Sequence, residues 1–406
     1  MHKPISNKSP TPPPSMTTQQ AIIIAARRTP IGRAGGTLKS LTVDALIAPV
    51  LNALLQDTHL QPDQIDEVIL GNAIGPGGNP ARLALLTAGF PVTIPGVTID
   101  RQCGSGLEAI NLAARLIQAG AGDIYIAGGM ESVSTAPWRI EKPRSLYELP
   151  QFTHRARFAP EALGDPDMGI AAETVAQTYG ITRDRQDEYA FHSHQKALES
   201  MKNGRLHNEI VPIHLSSTTT IETDECPRPN FTLQRLNKLP PAFQSDGTVT
   251  AGNACPINDG AAAVLMVSER LFYRMGWKSG LRVVDAVSAG VDPNLLGTGP
   301  VAAIQKLFSR QPAHSLSNID LIEFNEAFAA QVLACLDVLE ISQEKVNVGG
   351  GAIALGHPYG ASGAILVTRL FTELVRTPHP SPSTGLATLG IGGGLGLATL
   401  FEALPN

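Results

Sequence analysis

The sequence predicts an α/β protein in which two similar halves follow one another and a long excursion interrupts the first. Three observations carry this. Apolar, β-branched runs alternate with segments of helical period, the pattern of strands packed under helices. Two stretches repeat the same features at the same spacing: Cys103 lies 38 positions after Ile65 of Ile65-Asp-Glu-Val-Ile-Leu70, and His357 lies 38 positions after Ile319 of Ile319-Asp-Leu-Ile-Glu-Phe324. That period is domain-sized, far longer than a solenoid repeat. Between about Pro137 and Thr250, basic and aromatic residues replace the apolar runs.

With 406 residues, 43% of them hydrophobic and 17% charged, the chain exceeds what one core holds, so two or more domains are expected. Residues 1–20 are rich in Pro, Ser and Thr and carry neither the apolar centre of a signal peptide nor the arginine pattern of a transit peptide. They are expected to be a disordered leader, with Met16 a candidate alternative start. Ala21-Ile-Ile-Ile-Ala-Ala then opens the ordered chain as a strand buried on both faces. A glycine loop (Gly32, Gly35, Gly36), a helix near 43–55 and a strand over 65–70 follow.

Val97-Thr-Ile-Asp-Arg-Gln-Cys103-Gly-Ser-Gly reads as strand, tight turn and buried helix, because Leu107, Ile110, Ala114 and Ile117 recur at helical spacing. A cysteine on that turn meets the unpaired N–H groups and positive dipole of a helix start, which favour thiolate, the form that attacks a carbonyl carbon. The bland alternative is an inert small hydrophobe. A further strand over 123–129 ends in glycines.

In the excursion, Trp138-Arg-Ile-Glu-Lys-Pro-Arg144 and Phe152-Thr-His-Arg-Ala-Arg-Phe158 lack a clear period, and 182–203 reads as a charged amphipathic helix. Residue by residue the basic cluster is a solvated loop; together, its arginines suit a phosphorylated ligand. Asp259-Gly-Ala-Ala-Ala-Val-Leu-Met-Val267 returns the chain to the first half. The second half has a strand from Leu281, a helix near 301–308, the 319–324 strand, and a strand over 386–393 that echoes 124–129. The expected division is an N-terminal domain over 21–280, with 138–250 inserted in it, and a C-terminal domain over 281–406. Equivalent turns at Cys103 and His357 then face each other across a pseudo-twofold axis, and ligands commonly bind between domains.

Composition also excludes. A net charge of −5 and a pI near 6.1 give no pull toward nucleic acid or an anionic membrane. No stretch has about 18 uninterrupted apolar residues, so no membrane span is expected. Cys103, Cys226, Cys255 and Cys335 show neither metal-site spacing nor a disulfide framework, which suits a reducing cytoplasm and suggests no metal.

The chemistry concentrates late in the chain. Phe324-Asn-Glu-Ala-Phe-Ala329 places an asparagine where a helix starts, Gly349-Gly-Gly-Ala-Ile-Ala-Leu-Gly-His357 holds a histidine between glycine turns, and Gly390-Ile-Gly-Gly-Gly-Leu-Gly396 exposes backbone N–H groups. Phosphate loops are also glycine-rich, but neither a Walker lysine nor a dinucleotide fingerprint is present. One cysteine, one histidine and clustered N–H donors are the parts of acyl transfer: nucleophile, base and oxyanion hole.

Arg101-Gln-Cys103-Gly-Ser105-Gly106, Asn258-Asp-Gly-Ala-Ala-Ala263, Asn325-Glu-Ala-Phe328, Gly351-Ala-Ile-Ala-Leu-Gly-His357-Pro358-x-Gly360-x-Ser362-Gly363 and Gly392-Gly-Gly resemble, in order, the signature blocks of thiolases, the acetyl-CoA acetyltransferase and 3-ketoacyl-CoA thiolase family. The resemblance runs from about Ala21 to Leu404. It implies two βαβαβαββ halves in a five-layered αβαβα arrangement with an inserted loop domain that holds coenzyme A, assembled as homodimers or homotetramers. It also implies formation or cleavage of 3-ketoacyl-CoA, such as acetoacetyl-CoA, in fatty acid metabolism, with coenzyme A as substrate or product and no bound cofactor. By resemblance, Cys103 accepts the acyl group and His357 takes its proton. Asn325 would hold a water that, with His357, stabilises the enolate or thioester oxygen, and the N–H groups of Cys103 and Gly392 would form a second oxyanion hole. Arg228, Met168, Phe243, Cys255 and Phe328 are the implied substrate contacts.

Departures from the family stand beside the match. A second cysteine, in a Leu-Cys-Ile-Gly-Gly-Gly setting, serves thiolases as acid and base; here the position is Gly390, which cannot carry a proton. Losing a general acid–base costs about 10²–10⁴-fold in rate. Asp100 stands where thiolases often have asparagine, Gly104 where they often have serine, and Asn253-Ala-Cys255-Pro256 replaces Asn-Ala-Ser-Gly. Four explanations for Gly390 compete: an engineered trap, substitution by the Cys255 thiol, a water working with His357, or a reaction that needs no α-proton removal, such as transfer to another nucleophile or ketosynthase-like condensation. A non-catalytic acyl-CoA-binding homologue is disfavoured because Cys103, Asn325 and His357 are all retained.

Overall fold

The strand at Ala21–Arg28, β1, is buried along nearly its whole length, and the fold grows from it in two directions. The computed structural model describes residues 19–153, 155–377 and 383–404; residues 1–18 of the expected leader lie outside them. After β1 come β2 (Gly32–Arg33), α1 (Val43–Thr58), β3 (Glu67–Gly71), α2 (Pro80–Thr87), β4 (Gly96–Ile99), α3 (Ser105–Gln118) and β5 (Ile124–Ser132). The excursion holds β6 (Ile140–Glu141), β7 (Gln151–Phe152), α4 (Met168–Tyr179), α5 (Arg183–Lys202), β8 (Ile213–His214), β9 (Thr220–Ile221) and α6 (Leu233–Leu236). The chain returns through β10 (Asn258–Ser268) and α7 (Glu269–Met275). It continues as β11 (Gly280–Gly290), α8 (Gly299–Arg310), β12 (Leu321–Phe324), α9 (Ala329–Leu339), α10 (Ala352–Leu355), α11 (Tyr359–Phe371), β13 (Thr384–Ile391) and β14 (Leu395–Leu404).

One mixed sheet of ten strands runs in the order β12-β13-β14-β11-β1-β10-β5-β3-β4, with β2 paired to β10. Its two halves join antiparallel at β1 and β11, through Ala21↔Val283, Ile22↔Arg282 and Ile23↔Leu281. Outward from that seam the order is symmetric: β10 and β14 pair antiparallel, then β5 and β13 antiparallel, then β3 and β12 parallel. On the first side β4 adds a parallel strand beside β3; on the second, Val346 makes a single parallel bridge to Ile322. Equal spacing in sequence therefore becomes equal position in the fold, with Cys103 following β4 and His357 following the Val346 bridge.

Alternation along β1 sends Ile22 and Ala25 to one face and Ala21 and Ile23 to the other. On the first face, Leu46, Val50 and Leu54 of α1 and Ala84 and Leu85 of α2 cover the sheet. On the other, α3 and α11 lie between the halves: Leu107, Ile110, Ala361 and Ala364 meet Ala127 and Val264 on one side and Leu389 and Ile391 on the other. A third cluster packs Ile304, Leu307, Val332 and Leu336 of α8 and α9 on Leu386, Ala398 and Leu400. Helices and half-sheets thus alternate in five layers. The N-terminal turns of α3 and α11 meet backbone to backbone: a Cβ on Gly106 would lie 2.7 Å from Gly360 O, and one on Gly363 would collide with Leu107 N. Cys103 and His357 each stand two residues ahead of one of these helices.

Buried charges fasten the excursion to both halves. Arg28, at the end of β1, donates from Nε to Glu209 at 2.8 Å and from Nη1 to Asp224 at 2.7 Å, and Arg369 of α11 donates to Glu209 at 2.7 Å and to Glu373 at 2.8 Å. Arg28 and Glu209 have no solvent exposure, a placement that only paired, hydrogen-bonded charges sustain. The expected charged helix is α5, whose start is capped by Thr182 accepting from Arg185 N. Tyr189 and Ser193 on its buried face donate to Glu326 at 3.0 and 2.7 Å. Among the described residues, no helix is long and apolar enough to cross a membrane.

Candidate active site

The turn that presents Cys103 is braced from both ends. Asp100 Oδ1 accepts from Gln102 N at 2.7 Å, which holds Gln102 at a left-handed φ of 50°. Ser105 Oγ accepts from Arg101 N at 2.8 Å and donates to Gln102 O at 2.6 Å. A Cβ on Gly104 would lie 2.5 Å from Ile391 Cδ1, so the glycine lets the turn close on β13. The N–H groups of Cys103 itself and of Gly392 lie close enough to Cys103 Sγ to favour its thiolate. Burial nevertheless pushes the thiol up to about 12, with the carboxylates of Glu131 and Asp100 adding to it and the two N–H groups opposing it. This runs against the sequence expectation of a resting thiolate: the residue is half-buried between the half-sheets, and desolvation of its thiol outweighs the helix start.

Glu131, at the end of β5, lies behind the thiol. It accepts from Gly360 N at 2.9 Å, Ala73 N at 3.0 Å and Asn72 Nδ2 at 2.8 Å, tying α11 to the loop after β3. Burial raises its carboxyl to about 7 against these donors.

His357 is fixed by three groups. Its N–H donates to Asn258 Oδ1 at 2.8 Å, and its Nδ1 lies 2.5 Å from Ser362 Oγ. The Ser362 hydroxyl donates to Pro358 O at 3.0 Å, so Nδ1 carries the ring hydrogen and Nε2 keeps its lone pair. Asn325 Nδ2 faces that nitrogen at 3.4 Å. Burial lowers the imidazole to about 4, which keeps it neutral and able to accept a proton at pH 7. Tyr359 stands edge-on to the ring, 5.1 Å between centroids. Its phenol is raised by burial and then by the Cys255 and Cys103 sulfurs, which places it near both. The Cys255 thiol is also raised, first by burial and then by Cys103; its N–H donates to Ala327 O at 3.0 Å.

Beside this centre opens a cleft of about 790 Å³, lined among others by Arg33, Cys226, Arg228, Arg235, Cys255 and Ile257. Arg228 and Cys255 were expected there; Met168, Phe243 and Phe328 do not line it. Phe243 and Phe328 meet edge to face at 6.2 Å, Phe243 lies against Gly169 beside Met168, and Ala254 bridges to Phe328, so these three form an adjoining wall. The basic cluster expected to seat a phosphorylated ligand is elsewhere. Arg139 and Arg144 are exposed around the β6–β7 hairpin, and Arg155 is committed to Asp165 and Asp167. Sequence shows charge but not which carboxylate has claimed it.

A Cβ on Gly390 would lie 2.9 Å from Nε2 of Gln331, on α9. Gln331 is 3% exposed, and its Oε1 has no hydrogen-bond partner. Sequence reasoning missed Glu131 and Tyr359 and gave no role to Ser362. Only the serine carried a signal, five residues after the histidine on the first turn of a helix. No group of three or more His, Cys, Asp or Glu among the described residues is placed to hold a metal.

A half-buried cysteine and a neutral histidine, each two residues ahead of one of two central helices that meet between the half-sheets, are the groups a cysteine-dependent acyl-transfer site requires. The sequence profile "Thiolase, N-terminal domain" matches residues 21–270 and "Thiolase, C-terminal domain" matches residues 278–403, and the chain belongs to the thiolase family, whose members are acyltransferases. It is 49% identical over 384 residues to a Staphylococcus aureus protein provisionally named acetyl-CoA C-acetyltransferase VraB, covering 94% of this chain and 99% of that one. The crystal structure of Bacillus anthracis acetyl-CoA acetyltransferase superposes with TM-score 0.89 at 41% identity, over 95% of this chain and 99% of the other. Human mitochondrial 3-ketoacyl-CoA thiolase in complex with CoA gives 0.88 at 35% identity, over 95% and 98%.

Proposed function

We propose that the protein is an acetyl-CoA C-acyltransferase that forms or cleaves a 3-ketoacyl-CoA such as acetoacetyl-CoA through an acyl group on Cys103. The observation that carries this is a cysteine on a braced helix-start turn, with the N–H groups of Cys103 and Gly392 near its sulfur, and a neutral histidine on the equivalent turn whose Nε2 keeps its lone pair and faces the Asn325 amide. As Sγ attacks the thioester carbon, its proton passes to Nε2 of His357; the C–S bond to coenzyme A then breaks, and the departing thiolate takes the proton back. Asn325, facing Nε2, suits a hydrogen bond to the developing oxyanion. The cleft with Arg33, Arg228 and Arg235 suits the phosphates of coenzyme A, with Cys255 at its inner end.

The test is intact-mass spectrometry after mixing the protein with acetyl-CoA and, separately, following cleavage of acetoacetyl-CoA by free CoA. An acetyl adduct that disappears in Cys103→Ala, together with turnover, is expected; an adduct on any other residue overturns the reading. A second reading, condensation driven by decarboxylation or transfer to a different nucleophile, is favoured by Gly390, which leaves no thiol at that position. Malonyl-CoA consumption without acetoacetyl-CoA cleavage would select it.

The reading keeps 21–280 and 281–406 as the domains, with 138–250 as the inserted segment that bears Arg228 and Arg235. It places the enzyme in the cytoplasm as a homodimer or homotetramer. Two apolar surfaces support assembly: Leu83, Leu86, Val92 and Val97 around the β4 edge, and Trp138, Leu146, Tyr147 and Phe152 on the hairpin, all exposed. Light scattering at micromolar concentration measures the state directly.

A further inference from the structure

We propose that Glu131 is a positioning residue for acyl transfer, whose ionised carboxylate clamps the turn that carries His357 to the turn that carries Cys103. The inference rests on the acyl-transfer reading above and names a residue within it.

A continuous chain of hydrogen bonds runs through this carboxylate from one turn to the other. Asn72 N donates to Ile99 O at 3.1 Å, at the end of β4 and four residues ahead of Cys103. Asn72 Nδ2 donates to Glu131 Oε1 at 2.8 Å, and Glu131 Oε2 accepts from Gly360 N at 2.9 Å, three residues past His357. Ala73 N at 3.0 Å and Ile74 N at 3.3 Å donate to the same carboxylate. Every one of these partners is a donor. An ionised carboxylate, which accepts through both oxygens and donates nothing, satisfies them all, whereas a carboxamide or a protonated carboxyl turns a hydrogen toward at least one N–H. Pro358 offers α11 no side-chain cap, so Gly360 N is an orphan donor of that helix, and Glu131 caps it from another strand. The segments also touch backbone to backbone. A Cβ on Gly129 would lie 1.9 Å from Gly360 O, and one on Gly360 would lie 2.9 Å from Asn72 Cα. Glu131 has no solvent exposure there, so no bulk water stands in for a lost partner.

Burial works against the ionised form and raises the carboxyl to about 7, with the Gly360, Ala73 and Ile74 N–H groups opposing it. Asp100, Cys103 and Tyr359 are the titratable groups that face it, and none of them is a cation. The clamp is therefore closed above neutrality and opens as pH falls, when the proton that Glu131 takes up displaces a donor. His357 at about 4 and Cys103 at about 12 bracket this window, so neither reacting group titrates inside it. Transfer of the proton from Sγ to Nε2 leaves the pair without net charge, so Glu131 contributes position rather than field to that step. A reaction that needs the thiolate alone feels the charge instead, because after burial the Glu131 carboxylate raises the Cys103 thiol.

The experiment follows acylation of Cys103 in the full chain by acetyl-CoA, with quenched intact-mass spectrometry, from about pH 5.5 to 9. In the unaltered chain the rate is expected to rise with pH along a limb centred near the Glu131 value of about 7. Glu131→Gln should abolish the limb and leave the rate at least ~10-fold below the upper plateau. Asn72→Ala, which keeps the charge and removes one donor, should move the limb up by about one pH unit. Alkylation by iodoacetamide at about pH 9 should instead be at least ~3-fold faster in Glu131→Gln, the reverse of the effect on acylation. If Glu131→Gln does not fold, the limb of the unaltered chain and its displacement in Asn72→Ala decide the matter by themselves. A flat acylation profile in the unaltered chain, or a limb that survives Glu131→Gln, overturns the inference while leaving acyl transfer standing. Absence of the Cys103 adduct at every pH overturns the acyl-transfer reading and this inference together.

Discussion

At Cys103 and His357, burial sets opposite biases: the thiol is pushed up to about 12 and the imidazole down to about 4, so neither is charged at pH 7. Proton transfer must then accompany attack on the thioester rather than precede it. Alkylation of Cys103 by iodoacetamide is therefore expected to rise about tenfold per pH unit from 7 to 10, because only thiolate reacts; a plateau below pH 8, followed by peptide mass spectrometry, would contradict the buried neutral pair. Ser362 is the residue whose role could not be read from the sequence, since its function depends on a hydroxyl committed to Pro358 O. Ser362→Ala should leave the melting temperature within a few degrees yet slow acylation on the order of 10²-fold, because Nδ1 loses the acceptor that fixes the tautomer. Cys103 and His357 were legible as the proposed nucleophile and base, because cysteine and histidine between glycines have few structural reasons to be there.

Among elements, the contact between the starts of α3 and α11 does most to build the site. Gly363→Ala forces a methyl into Leu107 N and should destabilise the protein by about 1–3 kcal/mol. The same change should slow Cys103 acylation by separating the two turns; a thermal melt and adduct kinetics on one preparation check both. The strands and helices of the two halves were readable from alternating apolar periods and the echo at equal spacing. Even the missing counterpart of β4 has a trace in the Val346 bridge. The excursion was not readable to the same degree. Its anchors join residues far apart in sequence, 181 positions between Arg28 and Glu209, and no local period reports such pairs.

For the whole molecule, the Arg28–Glu209–Arg369 cluster governs acid stability. Burial raises the Glu209 carboxyl, but the guanidiniums of Arg369 and Arg28 outweigh it and hold it well below the usual carboxylate range. Its contribution is fully present above the ordinary glutamate pKa of about 4.3 and is lost as pH falls through the lower folded value. His357 acts earlier. Between its ordinary pKa of about 6.5 and its folded value of about 4, the unfolded chain binds a proton that the folded one refuses, so stability falls as pH drops through that window. Glu209→Gln, which leaves two buried guanidiniums underpaired, should cost about 3–5 kcal/mol in urea unfolding at pH 7 and flatten the acid limb. A last consequence follows from the seam at β1 and β11, where three residue pairs join half-sheets and the connecting chain passes through exposed Gly276. Severed after Gly276, the protein becomes two polypeptides, one bearing the sulfur and the other the imidazole. Neither fragment should transfer an acyl group, whereas co-expressed fragments should reassociate through the shared helix layer and recover the reaction, making this enzyme a natural two-piece reporter of its own assembly.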